Sequence, residues 1–171
     1  MRTILLSIFV VFGFLVKAQD SVKSEIIPIN DSLLKEQFGK SDKLYHLIVI
    51  YTDWCKPCRE FFPVLIDLCN SEKNIQTYYV NPDPRKYTSI IKKYLTKYPE
   101  IKVSYILDDS YKGSFKKRFI SFKEQVYPRY DGLLGIPTVF ILSKEFEEID
   151  IVVGNNPDKL KECLSKLRES N

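Results

Sequence analysis

The stretch WCKPC at residues 54–58 decides how the rest of the chain is interpreted. It follows the apolar run 47–51, which has the length and composition of a buried strand. It precedes apolar residues at helical spacing over 61–69. Two cysteines three positions apart at the start of a helix lie on one side of its first turn. The stretch therefore predicts a disulfide-forming pair at a strand-to-helix junction.

The position of the first cysteine favours thiolate chemistry. The sulfur of Cys55 faces the unpaired N–H groups and the positive end of the helix dipole, which lower a thiol pKa. Lys56 adds a positive charge that lowers it further, and Asp53 acts weakly against it. Pro57 stiffens the first turn at little cost. Cys55 is the predicted nucleophile, and Cys58 the cysteine that resolves its adducts.

Two other uses of this pair are less favourable. A zinc site usually needs a second pair of ligands, and the chain adds only Cys69, Cys163 and a single histidine, His46. A static disulfide that closes so short a loop would constrain the unfolded chain very little. We therefore predict no metal site and a redox role for the pair.

Alternating elements follow one another along the remaining chain. Apolar strand-like runs occupy 47–51, 77–80, 101–107, 138–142 and 149–153, and helical stripes span 61–69, 87–98, 115–126 and 160–167. A short helix capped at Asn30 precedes them. This order predicts helices that flank a mostly parallel sheet, closed by an antiparallel hairpin.

The N-terminus predicts export. Residues 1–18 contain Arg2, an apolar run over 4–16 and Ala18 before polar residues, as in a secretory signal peptide. The run is shorter than the roughly 20 residues of a spanning helix, although an uncleaved anchor is an alternative. Residues 19–29 are a lead-in and 30–171 the folded domain. The predicted location is periplasmic or secreted, with membrane anchoring as the alternative.

The charge of the chain indicates little about its binding partners. Removal of residues 1–18 takes away Arg2 and Lys17 and lowers the formal net charge from +4 to +2, which is too small to indicate nucleic-acid binding. Two basic stretches are interpreted as solvated helix faces, with an acidic partner or a membrane surface as the alternative; they comprise Lys86, Lys92, Lys93 and Lys97, and Lys112, Lys116, Lys117 and Arg118.

Several motifs together resemble the thioredoxin superfamily. They are WCKPC after a strand, Pro63 in the following helix, GIPT at 135–138 before a hairpin, and Val-Gly at 153–154 before a final helix. The insertion over about 81–132 is similar to that of TlpA-like exported thiol:disulfide oxidoreductases. The resemblance implies a thioredoxin-like α/β fold, with a central mixed sheet flanked by helices and a βα insertion before the proline strand.

The resemblance also assigns residues around the cysteines. It implies a cis peptide bond at Pro137, next to Cys55, with the backbone of Ile136 presented to a substrate chain. An ordinary trans turn proline is the alternative, since cis is the minority state. Trp54 is expected to shape the substrate groove.

Two positions depart from the family pattern. Thioredoxins commonly have a buried acid where this chain has Val49, so the proton acceptor for Cys58 is unassigned and water is one candidate. TlpA-like proteins often have Glu where this chain has Lys56. A lysine stabilises the reduced thiolate and makes the couple more oxidising. The direction of electron flow therefore does not follow from the resemblance.

The other two cysteines, Cys69 and Cys163, lie on apolar helical stripes and are interpreted as buried small hydrophobic residues. A second disulfide is the alternative in an oxidising compartment. His46 has no partner at a useful spacing and is interpreted as structural or exposed.

The predicted function is that of an exported thiol:disulfide oxidoreductase that acts on protein substrates, as a reductase, through Cys55 and Cys58. It needs no metal or organic cofactor, only the redox-active disulfide. The predicted partners are protein thiols and disulfides and a membrane or periplasmic electron donor, and the chain is expected to be a monomer. The alternatives are an oxidase or isomerase, and a binding module for a client protein or Cu(I).

Overall fold

The computed structural model describes residues 24–169. The strands are β1 (Glu25–Ile29), β2 (Tyr45–Ile50), β3 (Ile75–Asn81), β4 (Val103–Leu107), β5 (Thr138–Ser143) and β6 (Glu148–Val153). The helices are α1 (Asp31–Lys40), α2 (Lys56–Asn70), α3 (Thr88–Leu95), α4 (Phe115–Val126) and α5 (Pro157–Glu169). The predicted signal segment, 1–18, lies outside the described residues. Within 24–169, no helix combines the length and apolarity needed to span a membrane.

The six strands form one mixed sheet in the order β1-β4-β3-β2-β5-β6. The first four strands in this order run parallel, and β5 and β6 run antiparallel to their neighbours. Since β2 is central and buried on both faces, it is apolar almost throughout, as the sequence indicated. The predicted mixed sheet with flanking helices and a βα insertion is confirmed. The inserted strand β4 lies between β1 and β3.

Two apolar layers cover the sheet. On one face, α2, α3 and α5 pack through a cluster that includes Phe61, Leu65 and Leu164. On the other face, α1 and α4 pack through a cluster that includes Phe38 and Phe122. Helices on both faces bury the central strand β2 almost completely, whereas the edge strand β1 stays partly exposed. The loops that carry chemistry therefore emerge at the ends of the strands.

The structure differs from the sequence prediction at two elements. β1 lies within the segment 19–29, which has no clear strand pattern and contains Pro28. An edge strand tolerates this proline, and β1 is stabilised by its pairing with β4. The helix predicted over 87–98 is a 3₁₀ turn (Arg85–Tyr87) followed by α3, which ends at Leu95. Pro99 disfavours helical geometry in the residue before it, so the helix stops early.

Three residues to which the sequence assigns no catalytic role have buried side chains. His46 stacks on Phe38 with ring centroids 3.8 Å apart, and it has the structural role expected of it. Cys69 and Cys163 are buried free thiols, as the first interpretation held, and they do not form the alternative second disulfide.

Candidate active site

The cysteine pair lies where β2 ends and α2 begins, at the carboxyl end of the central strand. Cys55 is the N-cap of α2, and its Sγ accepts a hydrogen bond of 3.0 Å from the backbone N–H of Cys58. Pro57 is in the first turn, which contains no acidic residue. The positive end of the helix therefore acts on the Cys55 sulfur with no carboxylate in the first turn to oppose it.

The two cysteines form a disulfide with Cα atoms 5.3 Å apart. Cys55 is 4% exposed, whereas Cys58 is fully buried at 0%. The outer position belongs to the cysteine that the sequence predicted to be the nucleophile. An incoming sulfur can reach Cys55 through this narrow opening, while Cys58 is reached only from within the protein.

The segment before β5 lies against the disulfide. The Ile136–Pro137 peptide bond is cis, and the carbonyl oxygen of Ile136 is 3.6 Å from Cys55 Sγ. Two hydrogen bonds fix this segment: Thr138 Oγ1 donates to the Gly135 carbonyl at 2.6 Å, and the Gly154 N–H donates to the Pro137 carbonyl at 2.7 Å. The segment is therefore held rigidly at the mouth of the site.

Trp54 forms the opposite wall and is 54% exposed. Its indole N–H donates a 3.0 Å hydrogen bond to Oδ2 of Asp83, and its ring meets Phe115 edge-on at 5.3 Å. Burial raises the pKa of Asp83, and the hydrogen bond from Trp54 partly offsets this. The indole is held from two sides, so its exposed face has a defined direction.

Sequence reasoning missed Asp83. The signal was present: Asp83 follows β3, the neighbour of β2, and parallel strands bring their carboxyl ends to the same edge of a sheet. A polar residue directly after β3 is therefore brought close to WCKPC.

One residue assigned to a solvated helix face is buried: Arg118 is 4% exposed. Its guanidinium donates to backbone carbonyls of Pro82 (2.8 Å), Leu107 (2.6 Å), Asp108 (3.2 Å) and Tyr111. The prediction for Arg118 was wrong. A guanidinium can be buried when backbone carbonyls accept hydrogen bonds from its N–H groups, as they do here. Arg118 joins α4 to the segments that follow β3 and β4, and its charge acts to lower the pKa of Asp83.

Lys56 and Val49, the two positions that depart from the family pattern, lie in different surroundings. The Lys56 side chain is 79% exposed, and its Nζ lies 3.8 Å from Glu60 Oε1, so a carboxylate in solvent weakens its effect on Cys55. Val49 is fully buried in the apolar layer beneath α2. No acid replaces it there, so the proton acceptor for Cys58 has no side-chain candidate at this position.

Within residues 24–169, no three His, Cys, Asp or Glu side chains are grouped as metal ligands. Cys55 and Cys58 would be the only sulfur ligands at the described site, and they are joined to each other. The arrangement can therefore undergo sulfur exchange as it stands.

The sheet order, the cysteine pair at the start of α2 and the proline segment facing it define the thioredoxin fold, which this chain has. A thiol:disulfide interchange protein of the thioredoxin family from Chlorobium tepidum TLS superposes with a TM-score of 0.53 at 15% identity, covering 72% of this chain and 79% of that one. DsbF of Mycobacterium tuberculosis gives 0.51 at 18%, covering 72% and 81%.

A secreted disulfide oxidoreductase of Mycobacterium tuberculosis, homologous to E. coli DsbE, gives a TM-score of 0.50 at 12% identity, covering 72% of this chain and 81% of that one. No family model and no curated protein sequence matches the chain. At these identities the likeness establishes the fold alone.

Proposed function

We propose that this chain is an exported thiol:disulfide oxidoreductase that exchanges disulfides with protein substrates, acting as a reductase. The observation that supports this most directly is the position of Cys55. It caps α2 with its sulfur on the N–H of Cys58, one helical turn from its partner and 3.6 Å from the Ile136 carbonyl oxygen. A static disulfide has no need of this activated position.

The reaction begins from the reduced pair. The Cys55 thiolate attacks one sulfur of a substrate disulfide, forming a mixed disulfide and releasing the other substrate sulfur as a thiolate, which takes a proton from solvent. The N–H of Cys58 stabilises the Cys55 thiolate before attack. The backbone of Ile136 and the ring of Trp54 hold the substrate chain in line with the two sulfurs.

The second step resolves the mixed disulfide. Cys58 loses its proton and attacks Cys55 Sγ, which re-forms the Cys55–Cys58 disulfide and releases the second substrate thiolate. Since Val49 supplies no acid, water is the proposed proton acceptor for Cys58. The substrate gains two electrons and two protons, and the enzyme gains a disulfide.

The cycle needs an external reductant and a location outside the cytoplasm. A membrane or periplasmic dithiol donor reduces Cys55–Cys58 by the same exchange. The N-terminal pattern at residues 1–18 supports export. The solved structures with the same fold include a protein described as secreted. The proposed form in solution is a monomer with no metal or organic cofactor.

Reduction of insulin disulfides by dithiothreitol tests the activity. The wild-type protein should accelerate precipitation, while Cys55→Ser should match the uncatalysed rate. Reduced Cys58→Ser, incubated with insulin in the absence of dithiothreitol, should accumulate a mixed disulfide with a substrate cysteine, detectable as a mass shift that later addition of dithiothreitol reverses. Indistinguishable rates for wild type and Cys55→Ser would remove the enzymatic proposal.

The direction of electron flow has its own measurement. A reduction potential near about −270 mV supports the reductase, and one near about −120 mV would make the protein an oxidant. Equilibration with glutathione at known ratios, followed by alkylation and mass spectrometry, gives this value.

A further inference from the structure

An apolar groove of about 550 Å³ runs between α4 and the segment 130–136 and ends at residues that adjoin the disulfide. Trp54 and Ile136 line it, and the Ile136 carbonyl oxygen is 3.6 Å from Cys55 Sγ. The other apolar side chains of the groove are Phe115, Phe119, Ile120, Leu133 and Leu134. The cysteines themselves do not line the groove, but its end at Ile136 adjoins the sulfur of Cys55.

The outer rim of the groove displays a leucine that nothing within residues 24–169 covers. Leu133 is 93% exposed, the highest value of any large apolar residue described. Its position is set locally, because the Tyr130 hydroxyl donates a 3.2 Å hydrogen bond to the Leu133 carbonyl. A Cβ on Gly132 would lie 2.5 Å from the Tyr130 oxygen, so a larger residue there would displace the tyrosine ring from this contact. The exposed leucine is thus held in place by specific contacts.

Two lysines of α4 give the groove a positive rim. Lys116 and Lys123 line it, and neither forms an ion pair with any residue of the described range. Asp131 is the only acidic residue among the groove's described lining. Apolar walls beside unpaired ammonium groups suit a ligand that carries both an apolar side chain and carboxylates.

We propose that this groove binds the substrate polypeptide beside its disulfide and selects segments with a bulky apolar residue flanked by Asp or Glu. The inference rests on the proposed function and names its substrate class. The apolar side chain lies among Phe119, Ile120 and Leu133, while the carboxylates face Lys116 and Lys123. This places the neighbouring substrate cysteine at Ile136 and Cys55.

A separate substrate polypeptide fits this groove better than the chain's own N-terminal segment or a membrane surface. The chain's own N-terminal segment enters the described domain at Ser24, whose hydroxyl donates to the Ile101 carbonyl just before β4. This is the amino end of the parallel strands, opposite the disulfide. A membrane surface would be contacted through a broad face, whereas the groove leads to a single reactive sulfur.

Disulfide-cyclised peptides of equal length test the selection in the full chain. One peptide carries leucine and two glutamates beside a cysteine, the second replaces the glutamates by lysines, and the third replaces the leucine by serine. Wild-type protein should reduce the acidic peptide with kcat/KM about tenfold above the lysine peptide, mainly through KM, and added salt of about 0.5 M should remove most of this difference. The serine peptide should lose about threefold or more.

Charge reversal provides the matched comparison. Lys116→Glu combined with Lys123→Glu should invert the preference between the acidic and lysine peptides. Lys92→Glu combined with Lys93→Glu changes the net charge equally on the exposed face of α3, outside the groove, and should leave the preference unchanged. Leu133→Ser should raise KM for the leucine peptide and leave KM for the serine peptide unaltered.

Neutral hydroxyethyl disulfide is too small to reach the groove. It therefore distinguishes failure of the groove inference from failure of the proposed enzymatic function. If wild type reduces it and all three peptides with equal kcat/KM, the groove inference is overturned while the enzymatic proposal stands. If wild type reduces none of the four substrates, the proposed function itself fails. If charge reversal abolishes binding to anionic phosphatidylglycerol vesicles but leaves peptide preference unchanged, the groove is a membrane contact and the inference is overturned.

Discussion

The buried His46 should make the folded state sensitive to mild acid. Its ring is 0% exposed and stacks on Phe38, and neither ring nitrogen has a hydrogen-bond partner among residues 24–169. Burial lowers the pKa of His46 from its ordinary 6.5 to about 4, although the nearby backbone of Lys43 acts to raise it; Lys144 lowers it and Glu145 raises it by smaller amounts. Unfolding therefore takes up a proton between these two pH values.

The size and sign of the effect follow from this difference in pKa. Because the folded-state pKa lies below the unfolded value, the stabilisation is complete above pH 6.5 and is lost as the pH falls towards 4. At about 1.4 kcal/mol per pKa unit, the free energy of unfolding should fall by about 2 kcal/mol at pH 5 and about 3 kcal/mol at pH 4. Asp108 and Asp150 have lowered pKa values, so their losses come below the ordinary 3.8 and outside this window.

Urea unfolding followed by circular dichroism from pH 7.5 to 4 measures this loss. The matched variant is His46→Phe, which keeps the stacking on Phe38 and should stay within about 1.5 kcal/mol of wild type at pH 7.5. Asp83, whose raised pKa acts in the opposite direction, is present in both proteins and cancels in the comparison. The chain's single histidine also gives one titrating imidazole signal in NMR spectra. Parallel pH profiles for the two proteins, or an imidazole pKa near 6.5, would refute the reasoning.

Three further predictions concern buried groups and the site wall. Arg118→Met should lower the free energy of unfolding in urea by at least about 2 kcal/mol, because it leaves buried carbonyls unpaired, whereas the exposed neighbour variant Lys117→Met should change it by less than about 0.5 kcal/mol. Burial raises the pKa of the Cys69 and Cys163 thiols to about 11, so iodoacetamide at pH 8 should label them only after unfolding, as mass spectrometry would show; rapid labelling of the native protein would contradict their burial. Asp83→Ala should free the single tryptophan and lower its fluorescence anisotropy without loss of the far-ultraviolet spectrum, whereas unchanged anisotropy would show that the carboxylate does not hold the indole.

Most of the fold could be predicted because the apolar periodicity is strong where the elements are buried. β2 is almost continuously apolar, and the stripe of α4 begins and ends at the predicted residues, Phe115 and Val126. β1 could not be predicted because its strand geometry depends on pairing with β4, which lies far along the chain. The early end of α3 was readable in principle from Pro99.

The position of the cysteine pair could be predicted from sequence spacing alone, but the residues that surround the site could not. The disulfide and its place at the start of α2 follow from WCKPC after a strand. Asp83 contacts Trp54, and Arg118 contacts the segments after β3 and β4, so both depend on tertiary structure. A charged residue in a sequence is ordinarily predicted to lie in solvent. One signal was available for Arg118: it lies three positions after Phe115 and four before Phe122, on the buried stripe of its helix.

The position of β4 inside the sheet also constrains how the chain matures. Among the strands of the described range, β1 lies at the edge of the sheet and pairs only with β4, so its register from Glu25↔Val103 to Ile29↔Leu107 cannot form until the ribosome has passed Leu107. A nascent chain carrying β2 and the cysteines alone therefore leaves its first strand unpaired. Truncated products that end before β4 should be poor folders and ready targets for proteases, whatever the state of their sulfurs.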